Sequence, residues 1–169
     1  VIGYGHQVTG SHNFVAGDPN TVVGNNNQVT GNDNIITGDS NFVYGNNNAF
    51  AQSNNVVIGA SNTAITSDDN NIVGDTNTVG GGTKNNVIGD GNTATGNRNN
   101  VMGNTATATG DDATAIGTSA QATATNANAI GNGAVASASS AIAIGTSAAA
   151  SAADTIAMGH TATAGGVDS

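Results

Sequence analysis

The sequence predicts an all-β protein, a parallel β-roll (solenoid) of about 14-residue coils with two short strands in each coil. Glycine returns every seven residues along most of the chain. Between successive glycines, an Asn or Ala is followed two positions later by an apolar residue. Residues two apart point the same way from a strand. The 169 residues also include no Leu and no Glu, which are strong helix formers, whereas the abundant Gly, Asn and Thr are weaker ones.

The glycines mark the turns between strands, and their positions are called nodes below. Nodes stand every seven residues from Gly3 to Gly45 and again from Gly89 onward, with Ala124, Ala138 and Ala152 at three later nodes. The seven-residue spacing is interrupted by one extra residue before Gly74 and by another between Gly81 and Gly89. We call these two one-residue insertions lattice slips. We expect each extra residue to lie just ahead of the next apolar triplet, where a turn can absorb a bulge. A coiled coil would need large a and d residues without a glycine in every heptad.

Positions three and five after each node are predicted to fill the inside of the roll. Position five is apolar almost throughout, and position three changes from Asn in the first half to Ala later. The predicted internal Asn column comprises Asn13, Asn20, Asn27, Asn34, Asn41, Asn48, Asn55 and Asn62.

Position six shows that two seven-residue units make one coil, because large apolar residues there alternate with Thr, Ser or Gly. Positions four and six face outward, so one strand per coil exposes a continuous apolar stripe. Burying an Ile is worth about 1.5–3 kcal/mol, so the stripe predicts self-association but gives no number of copies. The predicted interface comprises Tyr44, Ile58, Val73, Ile88, Met102, Ile116, Ile130, Ile144 and Met158.

We expect residues 1–169 to form a single β-roll segment, with Asn-rich coils at 1–86 and Ala-rich coils at 87–169. Roughly 12 coils at a strand spacing of ~4.8 Å give a rod on the order of 60 Å. Val1 and Ser169 both fall inside a repeat, so we expect a piece of a longer chain.

Composition and motifs argue against catalysis, cofactors and nucleic acid. The net charge is −9, and only Lys84 and Arg98 are basic, which disfavours a phosphate backbone as partner. There is no Cys, no Glu and no Ser–His–Asp grouping apart from the repeat. The three His residues are far apart in repeat order, and the pairs at 68–69 and 111–112 are read as solvated turn carboxylates. The G-x-G-x-x-A stretches at 89–94 and 131–136 have no following helix and are read as turns.

The pattern Ala-x-Ala-Ile-Gly occurs at 113–117, 127–131 and 141–145, each time followed by x-x-Ala-x-Ala. With these motifs, residues 113–159 resemble the head repeats of YadA-like trimeric autotransporter adhesins. The resemblance is specific from about residue 87 onward. It implies a left-handed parallel β-roll, a homotrimer joined through the Ile-bearing strand, and an extracellular head on a bacterial surface fibre. Such a head attaches to an extracellular-matrix protein or a cell-surface ligand, and the outer-membrane anchor lies in a C-terminal region absent from these residues.

The second strand of each coil is the candidate ligand-facing surface, because it is polar and nearly uncharged. Two other uses of such a rod stay open. One is a passive fibre spacer or phage tail-fibre segment. The other is an ice-binding solenoid, which the short T-x-T units at 93–95 and 107–109 suggest, although the Thr array does not persist along the rod. The candidate ligand-facing residues are Thr63, Thr78, Thr93, Thr95, Thr107, Thr109 and Gln121.

Overall fold

The structure is a computed structural model that describes residues 1–166, and in this range it contains 24 short strands and no helix. The odd-numbered strands form sheet A: β1 (Ile2–Gly3), β3 (Phe14–Gly17), β5 (Gln28–Thr30), β7 (Phe42–Tyr44), β9 (Val56–Ile58), β11 (Asn71–Val73), β13 (Asn86–Asp90), β15 (Asn100–Asn104), β17 (Thr114–Ile116), β19 (Asn128–Ile130), β21 (Ile142–Ile144) and β23 (Ile156–Met158). The even-numbered strands form sheet B: β2 (Gln7–Thr9), β4 (Asn20–Val23), β6 (Asn34–Thr37), β8 (Ala49–Phe50), β10 (Ala64–Ile65), β12 (Thr78–Val79), β14 (Thr93–Ala94), β16 (Thr107–Ala108), β18 (Gln121–Ala122), β20 (Val135–Ala136), β22 (Ala149–Ala150) and β24 (Thr163–Ala164).

Each coil contributes one strand to each sheet, and every strand pairs in parallel with the strand one coil away. Sheet A runs in the order β1-β3-β5 to β23 and sheet B in the order β2-β4-β6 to β24. Most partners are 14 residues apart, as in Ile116↔Ile130 and Thr93↔Thr107. The predicted parallel β-solenoid of about 12 coils is therefore confirmed.

The core is the space between the two sheets, and position five fills it from both sides. Val15, Val29 and Val43 of sheet A and Val22 and Ile36 of sheet B are fully or almost fully buried. From Ala94 onward in sheet B and Ala115 onward in sheet A, position five is Ala, and position three is Ala from residue 106 to residue 148. Small side chains thus replace large ones first at position five of sheet B, and by residue 115 at every inner position.

The node glycines are required by the backbone of the next coil. A Cβ built on Gly17 would lie 1.9 Å from the carbonyl oxygen of Gly31, and the backbone of Gly17 has a φ of +120°. Two residues after most nodes, a non-glycine residue takes the left-handed conformation with φ between 54° and 63°. Asn, Asp and Ser fill most of these places, and Asn and Asp tolerate this conformation better than other side chains.

The two lattice slips lie in sheet B and its turn, not ahead of the apolar triplets as predicted. Ala64 is in register with Thr78, and Ile65 with both Phe50 and Val79, so Thr63 is the extra residue of the first slip. The second extra residue lies within the glycines at 80–82, because Val79 is still in register with Ala94 while Asn85 resumes position three. Both insertions leave the neighbouring inner side chains aligned with the next coil.

Candidate functional site

The charged side chains lie at the turns between the two sheets, so the outer faces of both sheets are uncharged. Among residues 1–166, every Asp, Lys and Arg lies between strands at a corner of the roll, except Asp90, which ends strand β13 beside a corner. Arg98 and Asp112, one coil apart, form an exposed ion pair, with Nε–Oδ1 and Nη2–Oδ2 distances of 2.6 and 2.5 Å. The hydrogen bond from Arg98 lowers the pKa of the Asp112 carboxyl. The faces left for recognition are neutral.

The outer face of sheet A carries the predicted apolar stripe as one continuous column. Consecutive members are register partners across eight coil boundaries, from Tyr44↔Ile58 to Ile144↔Met158. Five of them are exposed: Tyr44 at 59%, Ile58, Met102 and Ile130 at 36–40%, and Met158 at 68%. Val73, Ile88, Ile116 and Ile144 are partly buried by their neighbours. A single chain leaves this column in contact with solvent.

Inside the roll, the Asn residues form two ladders, one at each corner, where the sequence suggested one column. The corner that leads into sheet A holds Asn13, Asn27, Asn41, Asn55, Asn70, Asn85 and Asn99. The corner that leads into sheet B holds Asn20, Asn34, Asn48, Asn62, Asn77 and Asn92. All are buried except Asn13, which is partly buried.

Each ladder passes hydrogen bonds from one coil to the next. The backbone N–H of each Asn donates to the Oδ1 of the Asn one coil earlier, at 2.9–3.1 Å. At Asn27, Asn34, Asn41, Asn48 and Asn62 the side-chain amide donates to the same Oδ1 and also to a node carbonyl of the following coil. Asn34, for example, donates to Asn20 Oδ1 at 2.9 Å and to the Gly45 carbonyl at 2.8 Å. Among the described residues, no buried side-chain polar atom lacks a partner.

Sequence reasoning missed several members of the ladders. Asn70, Asn77, Asn85, Asn92 and Asn99 lie beyond the first slip, and counting position three through the slips would have found them. The Asn ladders therefore run past residue 86. They end where the backbone N–H groups of Ala106 and Ala113 donate to Asn92 and Asn99.

His6 stands where an Asn would precede the second ladder. Its Nδ1 accepts the backbone N–H of Asn20 at 3.2 Å, and its Nε2 is 3.1 Å from the Ile2 carbonyl. His6 is partly buried, whereas His12 and His160 are exposed turn residues. In this arrangement His6 has a structural role in its turn.

The outer face of sheet B carries most of the predicted ligand-facing residues. Thr78, Thr93, Thr107 and Gln121 are register partners on successive coils, and Thr95 and Thr109 follow two residues after Thr93 and Thr107. Thr93, Thr95 and Thr107 are partly buried and the other three are exposed.

Thr63 does not belong to this array, which corrects the prediction. It is the inserted residue, exposed but outside strand β10, and Ala64 takes the place in register with Thr78. The position-six column is also interrupted at Gly80, because a Cβ there would meet the Thr66 hydroxyl at 2.0 Å. Val135 and Ala149 replace the polar residues beyond Gln121. The regular hydroxyl array is therefore short.

The acidic pairs act within the turns. Asp68 Oδ1 accepts the backbone N–H of Ser53 at 2.7 Å, and Asp111 Oδ1 accepts that of Asn97 at 2.8 Å. Within residues 1–166, no three His, Cys, Asp or Glu side chains are grouped as metal ligands would be. The G-x-G-x-x-A stretches span turns of the roll and continue into the next strand, with positive φ at Gly89, Gly91, Gly131 and Gly133. Nor does this part of the chain contain a helix long and apolar enough to cross a membrane.

A family model described as the YadA head domain repeat (2 copies) matches residues 101–120, 108–128 and 122–148. The chain carries YadA-like head repeats. The matched residues begin in β15, just before Ala replaces Asn at position three, and they include all three Ala-x-Ala-Ile-Gly motifs completely. No curated protein matches the chain. The matched repeats are those of an adhesin-like family, whose β-solenoid heads are typically non-enzymatic.

Proposed function

We propose that this segment is part of the head of a trimeric cell-surface adhesin that attaches bacteria to extracellular matrix or to other cells. The YadA-like repeats support an adhesive role. The observation that carries the proposal is the division between the two outer faces. One has a continuous apolar column, and the other has no charged side chain among its outward residues and carries Thr or Gln on four successive coils, from Thr78 to Gln121.

The apolar column of sheet A is the face through which copies associate. It presents a large apolar side chain on nine successive coils, from Tyr44 to Met158, at the strand spacing of ~4.8 Å. A partner that covers all of it must repeat at the same spacing, and a second copy of this chain does so by construction. Three chains of left-handed roll, joined along a shared axis, would bury the column and leave each sheet B facing outward.

Recognition is then a matter of many weak contacts. Sheet B offers hydroxyl and amide groups on four successive coils, from Thr78 to Gln121. Hydrogen bonds from such a surface are individually small, but several coils on three chains add their contributions by avidity. An extended polymer, such as a matrix fibril or a surface chain of another cell, fits this geometry.

A binding assay on immobilised matrix fibrils and on cells tests the proposal. Thr93→Asp with Thr107→Asp places charges on the outer face of sheet B and should abolish binding without changing assembly. Thr118→Asp adds a carboxylate at an exposed turn and serves as the control. If the parent protein binds no fibril and no cell, the segment is a spacer within its fibre. If the double variant binds as well as the parent, sheet B is the wrong face.

A further inference from the structure

Three Asn side chains form a second kind of ladder on the outside of the roll. Asn71, Asn86 and Asn100 occupy position four of successive sheet A strands and are register partners. Asn71 Nδ2 donates to Asn86 Oδ1 at 3.0 Å, and Asn86 Nδ2 donates to Asn100 Oδ1 at 3.1 Å. Unlike the inner Asn residues, these three are exposed or only partly buried. We call them the outer Asn ladder.

The outer Asn ladder lies beside the apolar column. Val73, Ile88 and Met102 follow the three Asn residues by two positions and point outward from the same strands. The position-four column is Phe42 and Val56 before the ladder, and Thr114 and Asn128 after it. Ile142 and Ile156 then follow. Five consecutive polar residues are thus bounded by large apolar residues at both ends.

The apolar column cannot by itself fix how copies align along the rod. Ile116, Ile130 and Ile144 are identical residues on successive coils, so a shift of one coil restores nearly the same contacts. Repetitive surfaces are prone to such slippage, and a polar residue in an apolar interface is a known way to specify register.

We propose that the outer Asn ladder sets the axial register between copies of this chain, an inference that rests on the self-association proposed above. An Asn amide has two N–H donors and an acceptor oxygen, and each ladder bond uses one donor. Groups not used in the ladder remain for a neighbouring chain. When two copies are in register, the five polar position-four residues of one chain face the same residues of the other. After a shift of one coil, Asn71 of one chain would face Val56 of the next chain, and Ile142 of the first chain would face Asn128 of the next. Both contacts leave a buried Asn amide without a hydrogen-bond partner.

Spin labels test the register directly, because the chain has no native Cys. A label on Thr118→Cys, at an exposed turn, should give one narrow inter-chain distance distribution in the parent assembly. Replacing Asn71, Asn86 and Asn100 together by Val should broaden it into several distances, because each one-coil shift moves the label by ~4.8 Å along the rod. The single substitution Asn86→Val is a smaller change that removes both ladder hydrogen bonds. It should also broaden the inter-chain distance distribution.

The matched control replaces Thr78, Thr93 and Thr107, on the same coils of sheet B, by Val. This control should keep the narrow distribution, and circular dichroism should show that every variant is folded. A narrow distribution in the Asn→Val variants overturns the register proposal while leaving self-association intact. A parent that is monomeric by light scattering overturns the self-association itself and the register proposal with it.

Discussion

Asn34 donates a hydrogen bond from its side-chain amide to Asn20 Oδ1, one coil earlier, at 2.9 Å, and both residues are buried. The same Asn34 accepts the backbone N–H and the side-chain amide of Asn48, both at 3.1 Å. The interior of the N-terminal coils therefore depends on an amide, which can donate and accept at once. A carboxylate of the same size cannot donate.

The first prediction concerns these inner ladders. Asn34→Asp with Asn41→Asp, one residue in each ladder, should lower the free energy of unfolding by about 3 kcal/mol or more. Each change removes amide donors and places a buried anion beside the Asn oxygen of the previous coil. Thermal and denaturant unfolding measure the loss.

The matched control changes turn positions. Asn32 and Asn46 accept backbone N–H groups with their Oδ1 atoms, a role that Asp39 and Asp75 already fill elsewhere. Asn32→Asp with Asn46→Asp should therefore be nearly neutral. Equal losses in the two double variants would show that the inner amides do not stabilise the roll as we describe.

A second prediction concerns assembly. Ile130→Asp with Ile144→Asp puts two carboxylates on neighbouring strands of the apolar column, and burying them between copies would cost several kcal/mol. Light scattering should show loss of the oligomer. Thr123→Asp with Ser137→Asp adds the same charges to exposed sheet B positions and should leave the oligomer intact. An unchanged oligomer and melting temperature in the Ile variant would mean that copies meet through another face.

Node glycines give a third prediction. Gly31→Ala should destabilise the roll by about 3 kcal/mol or more, because its Cβ would lie 1.8 Å from the Gly45 carbonyl oxygen and the backbone has to shift. At Gly133, φ is +63° and a new Cβ would meet only the Ser147 hydroxyl at 3.8 Å. Gly133→Ala should cost only about 1–2 kcal/mol, the strain of an L residue in this conformation. Similar melting temperatures for the two variants would contradict the steric account.

A fourth prediction concerns pH. The hydrogen bond from Arg98 lowers the pKa of Asp112 below its ordinary 3.8, so the ion pair stabilises the folded state above that pH. This contribution should disappear as the pH falls through the lowered folded-state pKa. NMR titration should find the Asp112 pKa restored in Arg98→Gln. The melting-temperature difference between parent and variant should be small, as expected for an exposed pair, and should vanish in acid and in high salt.

Binding provides the fifth prediction. The outer face of sheet B has no charged side chain in the described range, so binding to a fibril should change little between low and physiological salt. Binding should also be strong to a multivalent fibril and barely measurable to a short monomeric fragment, because avidity adds weak contacts. A steep salt dependence would instead point to the Asp-rich corners as the binding surface.

The geometry of one coil can be predicted from the repeat in the sequence alone. The glycine spacing, the polar and apolar alternation and the two-unit period predicted parallel strands, about 12 coils, the inner Asn positions as far as Asn62 and the outer apolar stripe. These features depend on which residue follows which, and in a solenoid each coil repeats the same local rule. Even the buried state of Asn20 and Asn62 was predictable, because position three always lies on the same side as the apolar position five.

Features that depend on contacts between coils could be seen only in the folded chain. The fold divides the Asn residues into two ladders, places Thr63 outside the array on sheet B, and joins Asn71, Asn86 and Asn100 on the outer surface. The physical reason is visible at the slips. An extra residue can be absorbed at several places in a coil, and it lies at Thr63 and at 80–82. There, Asn62 keeps its hydrogen bonds to Asn48 and Asn77, and Ile65 stays aligned with Phe50 and Val79.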